Sequence, residues 1–359
     1  MTFEKEKYLD DLEKRIDPDQ EEKLFHDWIT FADGTFDGEL FIPKRDRTAL
    51  PAVEWPEVSV NQAVDDKDMM VVQQLATCSR ALGEASGDLL CVRANYGTGI
   101  LPSLFGAELF VMDEKYNTLP TVNPLKEGRE EFEVLLEKGV PHLRQSLGGK
   151  TLEMGEYFIE VMAGYSNIKK YVYVYHPDLQ GPIDICELLW GWDLFLAVSE
   201  QPDLVTALLE LVTDTYVCFM KEWDRIVSST DEYCVHWSML HKGHIMLRDD
   251  SAMNFSPEMF SEFIRPYDQK LLDEFGGGAI HFCGKGDHFI SFIAEMDHLY
   301  AVNMSQPELN DLGIIFQNTV DKGIKLIGMP LDVGREVIAN GRTLHGNMHC
   351  RSTQQGLGR

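Results

Sequence analysis

Eight short apolar runs separated by helix-like stretches constrain this chain more than any other feature. They are GDLLCVRANYG (87–97), YVYVYHPDLQGP (171–182), YCVHWSM (233–239), HIMLRDD (244–250), GAIHFCG (278–284), LYAVNMS (299–305), IKLIGMP (324–330) and RTLHGNM (342–348). Runs of this length, rich in β-branched and aromatic residues and bounded by Gly, Pro and Asn, read as strands. Most are apolar at consecutive positions, the pattern of strands buried on both faces, as in a parallel sheet covered by helices. With 359 residues and 44% hydrophobic content, the chain has enough material for a large core. No GxGxxG or GxxxxGK[ST] stretch marks a nucleotide-binding open sheet. The expected fold class is therefore α/β, a TIM-like (β/α)8 barrel.

The stretch before the first run has a different texture. A charged helix near residues 4–15 and a second stretch near 18–32 lead into DGTFDGELFIPKRDRTALPAVEWPE, whose Gly and Pro break any period. We expect an extended and helical arm over residues 1–65 and the barrel over 66–359. Leu204, Leu208, Leu211, Val212 and Tyr216 fall on one helical stripe, and MMVVQQLATCSRALGEA also has helical spacing. In NFSPEMF, Ser256 reads as an N-cap, Pro257 as the first helical residue, and Phe255 with Phe260 as a hydrophobic staple. That helix is expected to bend at Pro266 and to end at Gly276, Gly277 and Gly278.

Charge narrows the partners. Fifty-nine acidic and 32 basic residues give a formal net charge of −27, with no Lys/Arg run to track phosphates, so nucleic acid is not expected as a partner. No apolar stretch approaches the roughly 18 residues that cross a bilayer, and the polar start does not resemble a signal peptide. A cytoplasmic protein is expected. The seven cysteines are scattered, without a CxxC pair, as buried thiols usually are.

In such a barrel, polar residues at the C-terminal ends of the strands face the active site. Here those ends carry Arg93, Asn95 and Tyr96; His176; His236; Arg248, Asp249 and Asp250; His281 and Cys283; Asn303; and His345, Asn347, His349 and Cys350. Asp250, Tyr96 and His176 are the candidate catalytic residues, and Arg93, Asn95, Arg248, Asp249 and Asn303 the candidate substrate contacts. Positions i and i+2 of a strand share a face, so His281 and Cys283 project together, as two ligands of one metal ion do. A hydrogen-bonded core histidine beside a packed thiol has the same sequence. Asp249 and Asp250 read equally well as a pair capping the loop before Ser251. His241 and His244, in LHKGH, have a spacing that could bind metal but read more readily as a surface loop.

The stretches RANYGTGILPSLFGAELF, GPIDICELLWGWDLF, QPDLVTALLELVTD, LRDDSAMNFSPEMFSEFIRPYDQKLLDEFGG and IHFCG, in that order, resemble the uroporphyrinogen decarboxylase superfamily across about residues 70 to 350. That family's fold is a TIM-like barrel with an N-terminal arm. The resemblance implies one of two activities. The zinc-dependent branch moves a methyl group between a corrinoid protein and a thiol, with a His-x-Cys pair and a distant cysteine as zinc ligands. His281 and Cys283 match the pair, and Cys350 stands for the third, with His349, His345 or Asp250 as replacements. The implied cofactors are Zn2+ and a corrinoid, and the implied partners a corrinoid protein and a small thiol or methylated substrate. The decarboxylase branch binds an octacarboxylate with paired arginines in its arm; here IPKRDRTALP offers Lys44, Arg45 and Arg47 without that motif. A barrel that binds a corrinoid without turnover is the third reading.

Overall fold

A computed structural model describes residues 4–126, 128–228 and 232–351. Its strands are β1 Leu40–Phe41, β2 Cys91–Val92, β3 Leu109–Phe110, β4 Thr121–Val122, β5 Tyr173–Val174, β6 Tyr233–His236, β7 Met239–Lys242, β8 Ile245–Arg248, β9 Gly278–Phe282, β10 Leu299–Met304, β11 Lys325–Pro330 and β12 Met348–Arg351. Six of them form one sheet in the order β1-β12-β11-β10-β9-β8, with every pair parallel. A second parallel pair, β2 with β5, supplies the remaining two strands.

Together these are eight parallel strands of a TIM-like α/β fold, but among the described residues the ladder is not continuous around them. Between β5 and β8 the link is made by Met246 N–H donating to His176 Nε2 and by Gly181 N–H donating to the Arg248 carbonyl. On the other side, an isolated antiparallel bridge joins Lys44 to Ser86.

Two of the expected runs take another form. YCVHWSM contributes β6, which turns straight back into β7 as an antiparallel hairpin rather than joining the parallel sheet. Its loop is Trp237–Ser238, both with left-handed φ (47° and 64°), the sign that a two-residue hairpin loop requires. RTLHGNM is mostly loop, and β12 begins at Met348. The place of the missing strand is taken by β1, from within the arm, which pairs with β12.

Alternation along the strands separates two packing layers. Val92, Val174, Leu247, Ile280, Phe282, Val302, Leu326 and Cys350 belong to or pack on the large core shared with the helices. Cys91, Tyr175, Met246, Ala279, Ala301 and Ile327 face inward and share a smaller core with Met239 and Leu240 of the hairpin and with Leu24, Trp28 and Phe31. The small side chains at Ala279 and Ala301 leave the interior room that the hairpin fills. Trp28 and Phe31 lie on the arm helix Pro18–Ala32 and pack against Phe41 and His349. Lys325, the first residue of β11, lies over the Phe31 ring, so this helix covers the N-terminal ends of the strands. The opposite ends remain free to form a site.

Ser256 caps its helix, its Oγ accepting from Met259 N–H at 3.2 Å. The helix does more than bend at Pro266: it breaks at Ile264 into Pro257–Phe263 and Arg265–Glu274. No helix among the described residues is long and apolar enough to cross a membrane.

Candidate metal centre and adjoining pocket

The C-terminal ends of β8 and β9 bring Asp250, His281 and Cys283 together, with one ligand-type atom from each lying within 4.8 Å of the others. His281 Nε2 is 3.4 Å from Asp250 Oδ1 and 3.4 Å from Cys283 Sγ. The orientation of the imidazole follows from its other nitrogen. Asn303 donates its amide N–H to the Ile327 carbonyl at 2.6 Å, which leaves its Oδ1 facing His281 Nδ1, also at 2.6 Å. That oxygen only accepts, so Nδ1 carries the proton and Nε2 presents its lone pair toward Asp250 and Cys283.

Asp250 is held from behind. The Asp184 carboxylate accepts from the Asp250 and Ser251 backbone amides, each at 2.8 Å, and Gln180 donates to Asp250 Oδ2 at 3.2 Å. The buried Asp250 Oδ1 accepts no hydrogen bond among the described residues. Burial alone raises this carboxyl's pKa, but with a proton in place of a metal on Nε2, His281, together with Arg248 and the Cys283 thiol, outweighs that and holds it well below the usual carboxylate range. Burial, then the Asp250 charge, pushes the Cys283 thiol up to about 12. A lone-pair nitrogen, an orphaned carboxylate oxygen and a thiol aimed at one space are the donor set of a borderline-soft cation such as zinc. On this donor chemistry the three residues fit a three-ligand site.

Cys350 does not join them. His349 and Arg351 point inward on β12, so Cys350 between them points outward, and its Sγ packs where a side chain on Gly334 would stand. His349 lies at the other end of the interior, accepting from Gly328 N–H, and His345 is exposed. Tyr96 is buried in the large core and does not line the pocket beside the centre. Burial there pushes its hydroxyl up to about 12.

His176 has both ring nitrogens engaged, Nδ1 with the Pro177 carbonyl and Nε2 with Met246 N–H. It therefore has no lone pair to offer, although it, Cys234 and His236 form a second close group. Asp249 turns away from the pocket toward Asp268. Asn303 acts through His281. Of His241 and His244, only the second lies in a loop, the turn between β7 and β8: His241 is buried on β7, its Nδ1 against the Lys242 carbonyl.

The pocket, of about 690 Å3, is walled by His281 and Cys283 on one side and by Arg93, Asn95, Arg248 and Ser305 elsewhere. Residues not anticipated from the sequence complete it: Gln74 and Arg80 from the helix Lys67–Glu84, Asp178, Trp237 and Arg351. Trp237 places its ring edge-on to His281, with centroids 4.9 Å apart, and under the Arg248 guanidinium. Asp178 accepts from Trp237 Nε1 at 3.1 Å, pairs closely with Arg93, and lies 3.5 Å from Arg248.

No family model matches the chain, and no curated protein matches its sequence. Among solved structures, a methyltransferase from Methanosarcina mazei matches with a TM-score of 0.59 over 82% of this chain and 81% of that one, at 16% identity. At that identity the likeness is one of fold.

Proposed function

We propose that this protein is a methyltransferase whose Asp250, His281 and Cys283 hold one zinc ion in the pocket wall, and that it moves a methyl group between a corrinoid-bearing partner protein and a thiol. The observation that carries the reading is the convergence of three donor atoms, one of them a buried carboxylate oxygen that accepts no hydrogen bond among the described residues. The fold shared with a methyltransferase supports the reaction class. The corrinoid and the thiol rest on the sequence resemblance.

When bound, zinc lowers a thiol's pKa and leaves a fourth position open to it. The protein's own residues do the rest. Asn303 fixes the His281 tautomer, Asp184 fixes the loop that carries Asp250, and the Trp237 ring shields one side of the site from water. The octacarboxylate reading is weaker. Arg45, the arm's best-placed cation, is buried in a two-pronged contact with Glu21, 2.7 Å on each prong. Arg93 and Arg248 both answer to Asp178.

Protein purified without added zinc should carry near one equivalent of it. Cys283→Ala and Asp250→Asn should each weaken zinc binding by at least about tenfold, and Cys350→Ala should leave it unchanged. A small thiol should alter the sulfur charge-transfer bands of cobalt-substituted protein. Metal-free wild type that binds zinc no better than Cys283→Ala, or conversion of uroporphyrinogen by metal-free protein, would overturn the reading.

A further inference from the structure

The pocket's charge runs against that of the whole molecule. The chain carries a formal net charge of −27, yet four arginines, Arg80, Arg93, Arg248 and Arg351, line the pocket against two aspartates, Asp88 and Asp178. Counting Asp250 behind His281 still leaves the cavity positive. Two of the four are not held by carboxylates. Arg93 and Arg248 share the single charge of Asp178, with Asp250 3.8 Å from Arg248, whereas Arg80 and Arg351 form no ion pair among the described residues; Asp88 acts on Arg351 only from beyond pairing distance.

Arg351 is the more telling of the two. Arg80 is exposed, where water serves a guanidinium well. Arg351 ends β12, is largely withdrawn from water, and its one hydrogen bond among the described residues is a single donation, Nη2 to the Trp237 carbonyl at 3.2 Å. Its Nε is buried and donates no hydrogen bond among the described residues. A guanidinium has five donors in a fixed fork that matches a carboxylate, and leaving it desolvated without an anion is costly. Its position fits a ligand's far end, since Trp237 stands between Arg351 and His281 and touches both.

Resting on the methyltransferase reading, we infer that the small-molecule substrate of this pocket is an organic carboxylate, anchored by Arg351 with its reactive end toward Cys283 and His281. A cavity of about 690 Å3 suits a small molecule, and the aromatic walls of Tyr175 and Trp237 suit an apolar body between the two ends. Arg351 is a specificity-determining residue: it selects the anion and does not touch the reacting atoms.

The test is calorimetry with benzoate and its neutral isostere benzamide, in buffer free of carboxylate and phosphate. Each titration is run on wild type as purified, on metal-stripped wild type and on Cys283→Ala. Benzoate should bind about tenfold or more tighter than benzamide in all three, so that loss of the metal reading leaves this result standing. Arg351→Gln should abolish the preference and Arg351→Lys should keep part of it. Should Arg351→Gln fail to fold, wild type labelled with 15N-arginine provides a second readout. The Nε–H resonance missing from Arg351→Lys should shift on adding benzoate and stay fixed on adding benzamide. Equal binding of the two probes, an unchanged preference in folded Arg351→Gln, or an Arg351 resonance indifferent to benzoate would each overturn the inference.

Discussion

Asp249 and Asp268 are both fully buried, and none of their four carboxylate oxygens has a donor among the described residues. Two carboxylates cannot face one another in a low-dielectric interior unless one keeps a proton and donates it. Burial accordingly raises both, Asp268 to about 8. A folded-state pKa above the unfolded value means that the folded protein holds a proton the unfolded chain releases. Stability from this pair is therefore present below the ordinary carboxylate range and is lost as pH rises toward 8. Asp268→Asn, whose amide donates at every pH, should gain on wild type by about 1–3 kcal/mol between pH 5 and pH 8. Urea unfolding at the two pH values measures this, and parallel losses in both proteins would refute it. At the same scale, a single step of strand parity decides the ligand set. HxC at 281–283 was legible because i and i+2 share a face. Cys350 was expected to share the site although parity with His349 excludes it, and the inward residue one step on, Arg351, drew no notice because nothing local marked it.

Elements were legible where their local chemistry agrees with their place, and obscure where it does not. The three glycines before β9 illustrate the first case. Gly276 and Gly277 have φ of +70° and +88°, ending the helix, and a Cβ on Gly278 would lie 1.9 Å from the Ile245 carbonyl oxygen. Gly278→Ala should force β8 and β9 apart, costing about 2 kcal/mol or more and weakening metal binding, since His281 and the chain leading to Asp250 sit on those two strands. Thermal unfolding and zinc titration check this. Unchanged values for both would mean that the strands tolerate the displacement. The hairpin illustrates the second case. Its loop residues, Trp237 and Ser238, take left-handed φ without the Asn-Gly signature, so YCVHWSM read as one more parallel strand. That strained loop is what carries the Trp237 ring to His281 and Arg248, and such strain is commonly kept where a site needs it.

For the molecule as a whole, the arm behaves as a fastening. Arg45 and Glu21 are almost entirely buried, and Arg45 also donates to the Ser86 and Asp88 carbonyls beside β2. Removing one partner strands the other charge, so Glu21→Gln and Arg45→Met should each cost about 3–5 kcal/mol. Asp46→Asn, which breaks an exposed pair with Lys23, should cost under about 1 kcal/mol. Denaturant midpoints that do not separate the two classes would contradict this assignment. The basic residues of IPKRDRTALP were thus visible from the start, but their use in holding the arm depends on Glu21 and the β2 backbone, which only the fold brings together. The pairing of β1 with β12 has a consequence for biosynthesis. A ribosome releases Leu40 and Phe41 long before Met348 and His349 are made, and until then the outer edge of β11 lies open as a template for foreign strands. Translation of β12 therefore covers that edge, delivers Arg351 to the pocket and shortens the period in which the nascent chain needs a chaperone.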